Sequence, residues 1–203
     1  RLIDENDKFT LRNKKLYTYS FVKNEIENLF REAAGEGLPA VIVNPAEVYG
    51  PGDRDLITAG NLLDFAKSNP VFVCYGGTSI VHVDDVAAGI VAAHEKGRTG
   101  ERYILGGENL TFKELAALTL KVLGLKQKIV TLPNGLISFI GSLGRNFKIP
   151  LPFEAGAIPY GVKYWFADNS KAQSELGIRF RSAEETLTPT LNWLRENGYL
   201  ERP

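Results

Sequence analysis

A phenol and an ammonium stand four residues apart in Tyr19-Ser20-Phe21-Val22-Lys23. On a helix, residues at i and i+4 share a face. A cation beside a phenol stabilises the phenolate. Such a pair suits proton exchange with a hydroxyl or carbonyl group near neutral pH. The same spacing also fits a core-facing tyrosine beside a solvated lysine, so the surrounding elements must decide between the two readings. Other reactive side chains are few. Cys74 is the single cysteine, which excludes an intrachain disulfide and a cysteine-based zinc site. Nothing beside it in sequence suggests a reactive thiolate. His82 and His94 are too few and too far apart to suggest a metal.

The elements that would position Tyr19 and Lys23 can be read in order. Residues 17–34 carry Tyr19, Val22, Ile26, Leu29, Phe30 and Ala33 at helical spacing, and Gly35 and Gly37 stop the helix. Residues 38–43 form an unbroken apolar run, the pattern of a strand covered on both faces in a parallel sheet. Asn44-Pro45 ends it, and Tyr49-Gly50-Pro51-Gly52-Asp53 reads as a loop. A helix is expected over 59–67, then two short strands, 71–75 and 80–83, around a turn at Gly76-Gly77. Asp84 or Asp85 is expected to cap the next helix, which ends at Gly97.

A strand at 102–105 turns at Gly106-Gly107. Thr111 with Glu114 spells a capping box, and Gly124 closes the helix that follows. Residues 129–132 read as a strand, 136–143 as a helix and 148–164 as irregular. A short helix runs from Ser170 to Gly177. A second capping box, Ser182 with Glu185, opens a last helix to Asn197, which Pro189 should kink or divide. The alternation is that of an α/β fold.

Composition narrows the function classes. The chain of 203 residues is 44% apolar, enough for a core, and balances 24 Lys+Arg against 24 Asp+Glu. Neutral charge gives no electrostatic argument for nucleic acid or an anionic membrane. No apolar run is long enough to span a bilayer and no signal peptide stands out, so a cytoplasmic setting is expected. No methionine is present, including at position 1, and residues 1–15 are charged and aperiodic. We therefore expect a chain that begins partway along a longer protein.

The order of motifs is specific where each alone is weak. A helix with Tyr19 and Lys23 precedes a buried strand, which leads into Asn44-Pro45-Ala46-Glu47-Val48-Tyr49-Gly50-Pro51-Gly52-Asp53. Val81-His82-Val83-Asp84-Asp85-Val86-Ala87, Arg102 to Thr111, and Asp168-Asn169-Ser170-Lys171-Ala172 through Gly177 follow in turn. This order resembles the extended short-chain dehydrogenase/reductases, also called the NAD-dependent epimerase/dehydratase family, and within it the dihydroflavonol-reductase-like branch. The resemblance runs from Tyr17 to Gly198.

It implies the C-terminal part of a Rossmann-type doubly wound parallel sheet plus a small α/β substrate-binding lobe. About 1–70 would end the dinucleotide-binding domain, and about 71–203 would mix substrate lobe and returning Rossmann elements. Tyr19 would be the general acid/base, and Lys23 would tune it and bind the nicotinamide ribose of NAD or NADP. Pro45 and Val48 would line the nicotinamide side, with Asn44 facing cofactor or substrate or simply satisfying backbone groups at a strand end. Tyr75, Tyr160 and Tyr164, with Trp165, would wall a small-molecule substrate pocket or merely pack. His82 would be structural, and Asp84 and Asp85 a cap and a loop anchor.

The resemblance also defines what is missing. Neither Gly-x-x-Gly-x-x-Gly nor Gly-x-Gly-x-x-Gly occurs, and a pyrophosphate needs close backbone approach and free N–H groups at a helix start. The chain alone is expected to bind the dinucleotide poorly and to be inactive. Strand 38–43 would lack a sheet neighbour, exposing an edge for self-association or a partner segment; relatives often dimerise through the helix bearing the tyrosine. Three functions are compatible: hydride transfer to a carbonyl or from a secondary alcohol, nucleotide-sugar epimerisation or dehydration (with Arg145, Arg179 and Arg181 as possible diphosphate ligands), and a non-catalytic subunit of the same fold.

Overall fold

A computed structural model describes residues 1–147 and 158–200. Helix α1 (Thr18–Gly35) leads into β1 (Ile42–Pro45) and β2 (Glu47–Tyr49). Then come α2 (Gly60–Lys67), β3 (Val71–Cys74), β4 (Gly77–His82), α3 (Val83–Lys96), β5 (Arg102–Leu105) and β6 (Glu108–Thr111). Helix α4 (Phe112–Leu123), β7 (Ile129–Leu132), α5 (Asn134–Phe147), α6 (Ile158–Gly161), β8 (Tyr164–Trp165) and α7 (Ala183–Glu196) complete the order, with one wide helical turn at Ala172–Leu176 before α7.

The strands form three small sheets. Parallel pairs join β1 to β5 and β3 to β7. The third sheet centres on β4, parallel to β2 and β8 and antiparallel to β6. Parallel neighbours need crossovers, which the intervening helices supply. Gly76-Gly77 is therefore no hairpin turn, because β3 and β4 lie in different sheets. Gly76 instead permits a backbone contact: a Cβ there would come 2.0 Å from the Gly161 carbonyl oxygen.

Helix ends follow their side chains. The boxes at Thr111/Glu114 and Ser182/Glu185 both form, and Gly124 closes α4 in the left-handed region at φ 72°. The cap of α3 differs from expectation. It is His82, whose Nδ1 accepts from the Asp84 N–H at 3.1 Å. Asp85 is instead buried and accepts from the Arg181 backbone N–H at 2.8 Å. Pro189 does not divide the last helix, which runs unbroken from Ala183 to Glu196. Leu187, Leu191 and Leu194 pack there into one core with Leu62, Ile80 and Leu115. Full burial of each leucine is worth about 1.5–3 kcal/mol, enough in sum to outweigh one lost hydrogen bond.

Other differences are local. The expected strand 38–43 begins at Ile42 and takes in Asn44 and Pro45, because its hydrogen bonds are set by β5. Tyr49, read as loop, ends β2 as a fully buried side chain. Strand β6 lies where only a turn and a cap were read. Residues 1–15 are not featureless, since Ile3 bridges Ala167 and Arg102 holds the Glu5 and Asp7 carbonyls. Of the segment 148–164, residues 148–157 lie outside the described residues, and the rest supplies α6 and β8. Among the described residues β1 has one strand partner, so its other edge is open.

Candidate active site

Helix α1 holds the Tyr/Lys pair in an unusual setting, for no residue of it is buried. Tyr19 is 68% exposed, and the Lys23 Nζ lies 5.6 Å from its ring centroid. Phenol and ammonium thus share one face of the helix, with the cation over the ring. In this chain neither side chain packs into the core.

Contacts at its start and two turns on tie the helix to the rest of the chain. At its start, the Tyr17 hydroxyl donates to the Pro159 carbonyl at 3.2 Å, and its ring meets the Tyr160 ring edge-on with centroids 5.2 Å apart. Burial, and then the neighbouring Tyr160, raise the Tyr17 hydroxyl above its ordinary range, so it stays a neutral docking group. The Ser20 hydroxyl lies 3.2 Å from the Tyr160 hydroxyl. Two turns on, the Glu27 carboxylate accepts from Asn44 Nδ2 at 3.1 Å and from Arg102 Nη1 at 2.9 Å. Glu27 was not singled out in the sequence; its i+4 and i+8 spacing from Lys23 and Tyr19 was the available signal.

The expected binding residues divide. Asn44 lies on β1 with its amide nitrogen on Glu27, and its buried Oδ1 has no hydrogen-bond partner. Pro45 is exposed at the end of the same strand. Val48 packs partly against the core of Val81, Tyr103 and Leu105. Tyr160 is brought to the first turn of α1 and is backed by Trp165, whose indole N–H donates to the Tyr160 carbonyl at 2.9 Å. Tyr75 and Tyr164 are half exposed, and no described hydrogen bond or ring contact joins them to α1.

The remaining reactive groups are engaged structurally. His82 is buried, with Nδ1 facing the Asp84 N–H and the Arg181 guanidinium at 3.3 Å. Arg181 also pairs with Asp85 and Asp84. The Cys74 thiol meets the Gly161 carbonyl at 2.9 Å, and burial pushes it above its ordinary value. Glu47, unnoticed in the sequence, accepts from the Tyr49 hydroxyl at 2.7 Å and from Asn61 at 3.0 Å. Burial raises its carboxyl, against the lowering effect of hydrogen bonds from Tyr49, Thr78 and Asn61. No cluster of potential metal ligands occurs among the described residues.

The model of the NAD dependent epimerase/dehydratase family matches residues 3–106, from the first bridge through β5. The chain belongs to that family. A protein of Synechocystis sp. described as a dihydroflavonol 4-reductase is 30% identical over 182 residues, covering 83% of this chain and 52% of its own length. The ceramide reductase of Caulobacter vibrioides is 30% identical over 201 residues, covering 94% of this chain and 61% of its own. The crystal structure of a nucleoside-diphosphate-sugar epimerase from Pseudomonas aeruginosa superposes with a TM-score of 0.83 at 25% identity, over 99% of this chain and 63% of that one. This member of the epimerase/dehydratase family therefore spans about half to three fifths of the relatives it matches. Its fold is the Rossmann-type α/β architecture of those structures. Among the described residues no helix is long and apolar enough to cross a membrane.

Proposed function

We propose that, in the intact protein, this chain supplies the proton-transfer half of an NAD(P)-dependent carbonyl reductase. The observation that carries the reading is the exposed Tyr19 hydroxyl with Lys23 on the same helical face. The residues fit the nicotinamide–ribose part of such a cofactor: an exposed phenol, an exposed ammonium beside it and, one strand away, Asn44 Oδ1, which has no hydrogen-bond partner among the described residues. Lys23 and Asn44 would hold that part. When bound, the nicotinamide supplies the hydride. Tyr19 then donates its phenolic proton to the carbonyl oxygen as negative charge develops there. The Lys23 ammonium attracts the phenolate left behind. Tyr160 forms the neighbouring wall for the substrate, and Pro45 and Val48 the side nearest the nicotinamide. About residues 1–70 would end the dinucleotide-binding domain, and about 71–203 would mix substrate lobe and returning Rossmann elements.

The sequence has no glycine-rich turn for a pyrophosphate, so this chain alone is expected not to turn over and tests belong in the intact protein. There, Tyr19→Phe should lower kcat by about 10²–10⁴-fold toward a reducible carbonyl, the usual size of a general-acid effect. Unchanged reduction would remove Tyr19 from the mechanism.

A second reading, nucleotide-sugar epimerisation or dehydration, is favoured by the superposition on the Pseudomonas epimerase. Against it, the Arg181 guanidinium is taken up by Asp84 and Asp85 and is not offered to a diphosphate. Measuring dinucleotide released on denaturation separates the two: stoichiometric retained NAD supports the epimerase type, and none supports a reductase that exchanges its cofactor.

A further inference from the structure

We infer that Glu27 is the positioning residue of this site, acting on the chemistry through Asn44. The inference rests on the reading of Tyr19 and Lys23 as the proton-transfer pair. Helix α1 has no buried residue to hold its rotation. The Phe21 ring meets Phe9, and Glu25 pairs at the surface with Lys14, but the contact from α1 to the sheet strands is one carboxylate, only 15% exposed, which reaches two strands at once. One oxygen of Glu27 takes the Asn44 amide on β1, and the other takes the Arg102 guanidinium on β5. Arg102 is fixed in turn by the carbonyls of Glu5 and Asp7, at 2.8 and 2.7 Å. Three parts of the chain therefore meet at Glu27.

The bridge has two effects. Spacing places Glu27 one turn beyond Lys23 and two beyond Tyr19, so a clamp at Glu27 sets the angle of both about the helix axis. It also decides which end of the Asn44 amide is available. The nitrogen is turned onto Glu27, which leaves Oδ1 buried and without a donor. A buried, unpaired acceptor is costly, and it becomes favourable only when a donor arrives. That donor is an N–H or O–H group of the bound cofactor or substrate. Glu27 thus stabilises an acceptor oriented for the ligand.

Removing Glu27 alone would leave Arg102 unpaired in a partly buried place, and loss of folding could mimic loss of function. Two paired variants of the intact protein avoid this: Glu27→Met with Arg102→Met, and Glu27→Gln with Arg102→Met. Both lack the ion pair, and only the second keeps an oxygen for the Asn44 amide. For each, kcat and KM would be measured with NADH, NADPH and a reducible ketone. The dissociation constant of NADPH would be read by fluorescence, and the melting temperature recorded.

The methionine pair should lose about 10–100-fold in kcat, the scale of a misplacement near 1 Å, and bind NADPH about 10-fold more weakly. The glutamine variant should regain most of both losses at a similar melting temperature. Equal kcat and equal NADPH affinity in the two variants would overturn the inference, and so would a methionine pair within twofold of wild type. Failure of the underlying reading looks different: Tyr19→Phe would then keep wild-type turnover whatever the Glu27 variants do.

Discussion

Tyr19 and Glu47 stand for opposite uses of an ionisable group. Tyr19 is solvated beside a cation, as the proposed proton donor must be, whereas Glu47 is enclosed with Tyr49, Thr78 and Asn61 and serves the core. An acid raised in the fold binds more protons folded than unfolded between its two pKa values. Stability therefore falls as pH rises through that window, which starts near the ordinary carboxyl value of ~4.3. Glu47→Gln keeps an oxygen for Tyr49 and Asn61 while removing the charge. It should be more stable than wild type at pH 7, and the gain should vanish near pH 4. Urea unfolding at both pH values checks this; a gain of the same size at both would mean that packing, not ionisation, is responsible.

Among the elements, α7 makes the sharpest prediction. Pro189 removes the N–H that would reach the Glu185 carbonyl and crowds the preceding turn. The helix persists because its other face is buried. Pro189→Ala should therefore stabilise the chain, by an amount bounded by the ~3 kcal/mol cost of an interior proline. A melting temperature unchanged or lower would show that the ring itself packs usefully.

The same element shows how far sequence can be read. Its capping box was legible because it is a local rule, and so was that of α4. The register of β1 and the existence of β6 were not, since each depends on a partner strand far along the chain. The cap of α3 was misread for a similar reason. The helix starts at Val83, directly after β4, which puts Asp84 and Asp85 inside its first turn and His82 at the capping position. On α1, the shared face of Tyr19 and Lys23 was legible from spacing, while the contacts of Tyr17 and Glu27 emerged only when Pro159, Asn44 and Arg102 came into place.

At the scale of the whole molecule, an apolar stripe on α1 lacks a cover. Val22, Ile26, Leu29 and Phe30 are all between 43% and 65% exposed. The β1 edge is open as well among the described residues. Stripe and edge together predict that the 203-residue chain self-associates when isolated. Light scattering after size exclusion should give a mass above the monomer at micromolar concentration. Ile26→Lys with Leu29→Lys should lower it. A monomeric wild type, or a mass indifferent to these lysines, would refute the prediction.

The parallel pairing of β1 with β5 also governs how the protein must be made. Ile42 bonds to the neighbourhood of Arg102, and the Tyr17 hydroxyl waits for Pro159, 142 residues later. Such distant pairings fold slowly, because loop closure precedes any reward. A ribosome adding about 5–20 residues/s needs several seconds to deliver Arg102 after Ile42. Throughout that interval the nascent helix carries its apolar stripe, and the Glu27 carboxylate has no arginine to hold it. Strand order thus sets how long β1 and the stripe on α1 wait for their partner, and no circular permutation of the 203 residues can bring Arg102 out sooner after Ile42.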